Sequence, residues 1–398
     1  MKPISLRDIT EATHLTRSGR LSEAMTLIQS VLRGGRPSGP ESDGTADAAI
    51  ALQPLKLTAV DAVMAAVDKA TAATAASPAV PEILGRLGTG FPVLRGLPRR
   101  GTPAFVDVAP AAGNYIAGSF TSGAGTRAYK LYVPSGGIDG PRPLIVMLHG
   151  CTQSADDFAA GTRMNFAAEE HGCFVVYPEQ PLAANSQRCW NWFKPGDQQR
   201  DLGEPALIAG ITRQVMKNYN IDAQRIYIAG LSAGGAAAAV MGEAYPDLYA
   251  AVGVHSGLAC GAARDLPSAF AAMSGNGPVR VVGARVANRV VQPGDAVPTI
   301  VFHGDRDTTV HPRNGAEVIA RAGGEVQTEL EAQPTRGRFT RSIRRDSTGR
   351  SIVELWEIHG AGHAWSGGSA AGSFTDPSGP DATREMLRFF LAHARQSA

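Results

Sequence analysis

The segment RIYIAGLSAGGAAAAVMGEAYP, residues 225–246, decides the fold class. Residues 225–229 read as a short buried strand and residues 236–244 as a helix. Between them stands Gly230-Leu231-Ser232-Ala233-Gly234, a G-x-S-x-G pentapeptide. Such a pentapeptide also arises as a plain small-residue turn. A strand before it and a helix after it point instead to a sharp turn that lifts a serine out at the helix N-terminus. Glycines at 230 and 234 let the backbone bend and let the helix approach the strand closely. Ser232 is then the candidate nucleophile, and the Ala233 N–H a candidate oxyanion donor.

Working outward, strand and helix patterns alternate on both sides of this turn. YIAGSFTS and RAYKLYV alternate in polarity around a glycine-containing turn, which predicts a hairpin after residue 115. PLIVML (143–148) and CFVVYP (173–178) are continuous apolar runs, as expected for strands buried on both faces of a parallel sheet. Residues 155–170 and 203–218 read as helices, each carrying apolar residues at helical spacing. AAVGVHSG (250–257) and PTIVFHG (298–304) read as two further strands, and 313–322 as a helix. RFTRSIRRDSTGRSIVELWEIHG predicts a hairpin turning at residues 346–349, and ATREMLRFFLAHA a closing amphipathic helix. The alternation predicts an α/β fold, a mostly parallel sheet with helices on both faces, over residues 106–398.

Residues 1–105 have a different texture. Leu21, Met25, Ile28 and Leu32 make one apolar stripe at helical spacing. GGRPSGPESDGTADA (34–48) reads as a flexible linker, and the following alanine-rich stretch as a marginal helix. The expectation is an N-terminal extension of short helices and linker, partly disordered, that serves at most as a docking or interaction segment.

Composition excludes several function classes. The chain has 398 residues and a net charge of +2, which gives no bulk electrostatic case for nucleic acid or an anionic membrane. No apolar run reaches the ~18 residues of a membrane span. Six arginines between 336 and 350 alternate with Phe339, Ile343 and Ile352, the pattern of a solvated hairpin face rather than a polyanion patch. Four cysteines form no C-x-x-C pair, which argues against structural zinc.

A serine nucleophile requires a base, and the base an orienting acid; with this kind of turn the chain order is Ser, then Asp or Glu, then His. HGDRDTTV, after the strand PTIVFHG, offers Asp305 and Asp307. Asp307 is preferred, because it lies on the loop proper with Val310 behind it as an anchor, whereas Asp305 suits a turn cap. HGAGHAWSGG offers His359 at a strand end and His363 on a glycine-rich loop; His363 is the candidate base. His149-Gly150-Cys151, after PLIVML, occupies the place of the second oxyanion donor, with Cys151 supplying the N–H. Trp190, Trp192 and Trp365 are candidate substrate-binding residues of an aromatic-lined cleft; packing of these loops onto the domain is the other reading. Cys151 and Cys189 are candidates for a disulfide between the oxyanion loop and the Trp loop, while Cys173 reads as a buried thiol.

LIVMLHGCTQSADDFA, RCWNWF, RIYIAGLSAGGAAA, SGLACGAARDLPSAFAAM, FHGDRDTTV and HGAGHAWSGG occur in that order. Together they resemble the esterase, polyhydroxybutyrate (PHB) depolymerase family of α/β-hydrolases over residues 110–396. The resemblance implies an α/β-hydrolase fold and a serine carboxylic-ester hydrolase with Ser232, Asp307 and His363 as its triad. It implies neither metal nor cofactor. Its substrate would be an ester or polyester, a polyhydroxyalkanoate or short-chain hydroxyacyl ester, or alternatively a feruloyl or acetylxylan-type carbohydrate ester. A non-catalytic binding protein on the same fold is the alternative of another class. The resemblance also implies an extracellular location; MKPISLRDITEATHLTRSGR shows no cleavable signal peptide, so a cytoplasmic location is the alternative.

Overall fold

The apolar run at 143–148 becomes a strand with every residue buried, β3 (Arg142–Leu148). Its side chains divide by parity. Leu144, Val146 and Leu148 join one core layer, Ile145 and Met147 the other, as the two-residue period of a strand dictates. β5 (Ile221–Leu231) divides in the same way: Ile226 and Ile228 point into the first layer, Tyr227, Ala229 and Leu231 into the second. A sheet buried on both faces is the consequence. The computed structural model describes residues 107–136, 140–277, 297–322 and 338–395, and the expectations for residues 1–105 lie outside them.

Seven further strands complete the main sheet. These are β1 (Asn114–Ser122), β2 (Gly125–Val133), β4 (Phe174–Pro178), β6 (Ala251–His255), β7 (Thr299–Gly304), β8 (Phe339–Arg345) and β9 (Ser351–Ile358). Their order is β1-β2-β4-β3-β5-β6-β7-β9-β8. The pairs from β4 through β9 are parallel, and both ends of the sheet are antiparallel hairpins. Two short strands, β10 (Trp365–Ser366) and β11 (Thr375–Asp376), pair separately after β9.

The helices are α1 (Ala155–Thr162), α2 (Met164–Glu170), α3 (Gly203–Asn218), α4 (Ala233–Ala244), α5 (Leu266–Met273), α6 (Arg313–Arg321) and α7 (Ala382–Leu391). Residues of α3, α4, α5 and α6 fill the first layer, and residues of α1, α2 and α7 the second. Each fully buried Leu, Ile or Phe on these faces contributes about 1.5–3 kcal/mol relative to leaving it in water.

Two elements differ from their sequence reading. The helix expected over 155–170 is broken at Arg163, whose φ of 54° is left-handed. The Thr162 hydroxyl turns back to the Phe158 carbonyl at 2.8 Å, and the Arg163 guanidinium stacks 4.0 Å over the Phe166 ring, so α2 starts in a new direction. α5 lies in a stretch read only as a motif. Asp265 and Ser268 close a capping box at its start, a local signal that marks a helix N-terminus.

The chain reverses direction across the sheet at β3: β4 lies on one side of it and β5 on the other. Crevices in open α/β sheets form at the carboxyl ends of strands at such a reversal. The loop after β3 carries Cys151, and the turn from β5 straight into α4 carries Ser232.

Candidate active site

β5 passes into α4 without a connecting loop. Ser232 makes the turn with φ 58° and ψ −119°, a backbone conformation that L-residues adopt rarely. A Cβ on Gly230 would stand 2.4 Å from the Gly234 backbone, and one on Gly234 would stand 2.1 Å from the Leu148 carbonyl oxygen. The two glycines are therefore required by three chain segments in backbone contact. Ser232 occupies the helix N-cap, yet its side chain makes no capping hydrogen bond. A serine there ordinarily accepts from the first turn; here the hydroxyl is left for other partners. Ala233 opens the helix, so its N–H lies outside the intrahelical ladder.

The acid and base segments follow β7 and β9. His363 Nδ1 lies 2.7 Å from Asp307 Oδ2. The other oxygen, Asp307 Oδ1, accepts the N–H groups of Thr309 at 2.9 Å and Val310 at 2.8 Å. His303 Nε2, 2.8 Å from the Val310 carbonyl, stands 3.5 Å from Asp307 Oδ2 on a further side. Burial opposes ionisation of Asp307, but the hydrogen bonds from His303 and His363, with the Val310 N–H, outweigh it and hold the carboxyl well below the usual carboxylate range. Asp305 goes elsewhere: it accepts the Gly360 N–H at 2.7 Å and faces His359 Nδ1 at 3.1 Å, with both side chains exposed. Gly304 permits the close packing of the two segments, because a Cβ there would meet the Ala361 carbonyl oxygen at 2.4 Å.

The loop after β3 is held from several directions. A Cβ on Gly150 would touch the Ser232 Cβ at 3.6 Å, so this loop lies against the serine. The Gly150 N–H is donated to Gln153 Oε1 at 2.9 Å. His149 Nε2 accepts the Gln180 N–H at 3.0 Å, which leaves Nδ1 as the donor to the Gly150 carbonyl at 2.8 Å. Burial pushes the His149 pKa down to about 4, so the ring is neutral and keeps this tautomer. Cys151 is disulfide-bonded to Cys189, and the Thr152 N–H is donated to the Gln187 carbonyl at 2.6 Å. Among the described residues, no protein acceptor takes the Cys151 N–H.

The tryptophans require a correction. Trp190 and Trp365 are fully buried and Trp192 is 6% exposed, so they pack the domain and do not line an open cleft. Trp365 meets Phe158 edge-on at 5.5 Å, and its Nε1 is donated to Thr383 Oγ1 at 3.0 Å. Trp190 packs on the His149 ring at 5.7 Å. The loop that carries Trp190 and Trp192 is organised by Glu204, a buried carboxylate. It accepts the Asn191 N–H and Nδ2 at 2.7 Å each and Gln180 Nε2 at 2.5 Å. Burial raises its pKa.

The sequence reading placed His149 beside the oxyanion donor but gave no role to its side chain, nor to those of His255, His303 and Glu204. Three of them had a signal: His149, His255 and His303 each follow an apolar strand run, and strand ends face the crevice. Cys173 is a buried thiol, its pKa pushed up to about 12 by burial. Of the described hairpin arginines, Arg341 pairs with buried Glu354 and Arg350 with Asp346. Among the described residues, no group of three His, Cys, Asp or Glu side chains is placed to hold a metal, and no helix is long and apolar enough to cross a membrane.

Comparison with known proteins places the chain beside esterases. Residues 127–324 match the family model described as Esterase PHB depolymerase. The chain is 33% identical over 237 residues to poly(3-hydroxyalkanoate) depolymerase C of Paucimonas lemoignei, covering 58% of this chain and 57% of that protein. It is 28% identical over 235 residues to feruloyl esterase B of Thermothelomyces thermophilus, covering 55% of this chain and 78% of that protein. The acetyl xylan esterase from Aspergillus awamori superposes with a TM-score of 0.55 at 19% identity, over 70% of this chain and 99% of its own, a likeness of fold. Strand order, serine turn and matched segment thus coincide, and residues 127–324 match the Esterase PHB depolymerase model within an α/β unit folded like the esterases of the α/β-hydrolase type.

Proposed function

We propose that residues 106–398 form a catalytic unit that hydrolyses carboxylic esters through an acyl-enzyme on Ser232. The observation that carries this reading is the part-buried Asp307–His363 hydrogen bond of 2.7 Å, between the loops that follow β7 and β9. His363 donates from Nδ1 to Asp307, so its Nε2 is the free base. It takes the Ser232 proton as Oγ bonds to the ester carbonyl carbon. The N–H groups of Cys151 and Ala233 receive the negative charge on the carbonyl oxygen. The tetrahedral intermediate collapses, the alkoxy C–O bond breaks, and His363 returns the proton to the leaving alcohol. Water, deprotonated by the same histidine, then attacks the acyl carbon; the acid is released and Ser232 regains its proton. Asp307 stays ionised throughout and stabilises the imidazolium. The residues need no metal or cofactor for these steps.

The substrate reading is a hydroxyalkanoate ester or oligomer, supported by the similarity to the depolymerase. A second reading, a carbohydrate-linked acyl ester, is supported by the feruloyl esterase match, which spans more of its relative. The Cys151–Cys189 bond supports function outside the cell, where disulfides persist. A fluorophosphonate probe tests the chemistry: it should label the wild type and not Ser232→Ala, and an unlabelled wild type would favour a non-catalytic binding protein. Side-by-side turnover of hydroxybutyrate oligomers and methyl ferulate separates the substrates, and faster ferulate release would overturn the first reading.

A further inference from the structure

Ser232 and the segment that carries His363 are both bonded to one residue, His255. It ends β6, paired with Leu231 of β5 on one side and Phe302 of β7 on the other. Its main-chain carbonyl accepts the Ser232 N–H at 2.9 Å. Its ring reaches the other partner: Nε2 accepts the N–H of Ser366, three residues beyond His363, at 3.0 Å.

We propose that His255 is a positioning residue that keeps the base-bearing segment in register with the serine turn, through the acceptor on its ring Nε2. This rests on the reading of Ser232 and His363 as nucleophile and base. A histidine suits the place for two physical reasons. Its flat ring is sandwiched between Phe302, 5.8 Å away at 13°, and Trp365, 5.1 Å away at 26°. The same ring presents an in-plane lone pair, which an aliphatic or phenyl side chain lacks. Accepting an amide N–H at Nε2 assigns the proton to Nδ1, which faces Ser256 Oγ at 3.2 Å. The ring is fully buried, and burial pushes its pKa down to about 3, so it stays a neutral acceptor where esters are hydrolysed. Trp365 belongs to the same clamp: it follows the base segment and lies flat on the ring. The arrangement accounts for a tryptophan that the sequence presents as a cleft residue and the structure buries.

The test compares two substitutions with p-nitrophenyl butyrate as substrate. His255→Phe keeps the ring and removes the acceptor. It should lower kcat about 10- to 100-fold with KM within about twofold, as expected when a reacting group is displaced by about 1 Å. Phosphonylation of Ser232 by a fluorophosphonate should slow in parallel. His255→Gln restores an acceptor near the Nε2 position and should recover most of kcat. Equal impairment of the two variants, or an unchanged His255→Phe, would overturn the proposal and leave the ring a packing element. A readout independent of mutant folding is nitrogen NMR of histidine-labelled wild type. Two buried imidazoles, those of His149 and His255, should hold their proton on Nδ1 with Nε2 bare from about pH 5 to 8, the His255 ring being the one whose Nε2 is hydrogen-bonded to the Ser366 amide; the opposite tautomer at that ring would equally overturn it. A wild type that the probe does not label would instead sink the underlying esterase reading, whatever the tautomer.

Discussion

The loops after β7 and β9 supply two Asp–His pairs, and they differ in little that a sequence records. Asp307 and His363 are 56 residues apart, Asp305 and His359 54. Both pairs join a carboxylate oxygen to Nδ1, at 2.7 and 3.1 Å. The outer pair even continues to a hydroxyl, since His359 Nε2 lies 2.8 Å from Thr340 Oγ1. By distance alone it is a hydroxyl–imidazole–carboxylate string. The surroundings separate the two. The inner side chains are 0% and 11% exposed, the outer ones 42% and 48%. In water the outer pair gains little from its charges. Thr340 sits inside an antiparallel strand opposite Glu357, with no sharp turn to present it. A proton relay becomes a candidate catalytic site only when a turn exposes the hydroxyl, N–H donors face the substrate oxygen and the carboxylate is shielded.

The contrast is broken or sharpened most strongly by the hydroxyls. Ser232→Ala should lower ester turnover about 10⁴- to 10⁶-fold, because triad members act as a unit. Thr340→Val should leave kcat/KM within about twofold, and a loss there comparable to that of the serine would erase the distinction. The acids come next. Asp307→Asn should lower kcat about 10³- to 10⁴-fold by freeing the wrong tautomer of the base; for Asp305→Asn the expected change is under about fivefold, and a larger loss at 305 would exchange their roles.

Stability against pH separates the same acids without an assay. The native pKa of Asp307 is depressed, so its contribution to stability is present above the unfolded value near 3.9 and fades as pH falls through the native one. The stability gap between wild type and Asp307→Asn should therefore narrow between about pH 5 and pH 2. A constant gap would mean the carboxylate is not held as described. The smallest effect belongs to His359→Asn. An ion pair this exposed is worth about 0.2–1 kcal/mol, and in ~1 M salt the difference in unfolding midpoint should vanish.

Much of this was legible in the residues. Apolar runs located β3, β4 and β7, and GLSAG, HGDRD and HGAGH brought forward Ser232, Asp307 and His363 as candidates. Local order carries such features, because strand parity and turn chemistry act over a few residues. What stayed hidden depends on tertiary neighbours. Nothing near Trp365 says that a histidine 110 residues earlier lies beneath it, and nothing near Arg163 says that the helix must turn there. His255 closes an apolar run in AAVGVHSG; its partner amide lies beyond β9. Glu204 reads as an ordinary charge at a helix start, because the loop it organises comes before it and is folded around it.

The backbone of Ser232 has a consequence for how this chain can drift. A conformation with φ 58° and ψ −119° suits glycine better than serine, by an amount on the order of 1 kcal/mol or more. Ser232→Gly should thus gain thermal stability while losing all covalent chemistry. With Ser232 as the proposed nucleophile, selection for sturdiness alone would push this position toward an inert protein, and demand for turnover would hold the serine in place. The same variant is a practical tool, a robust decoy in which an uncleaved ester could be captured and identified.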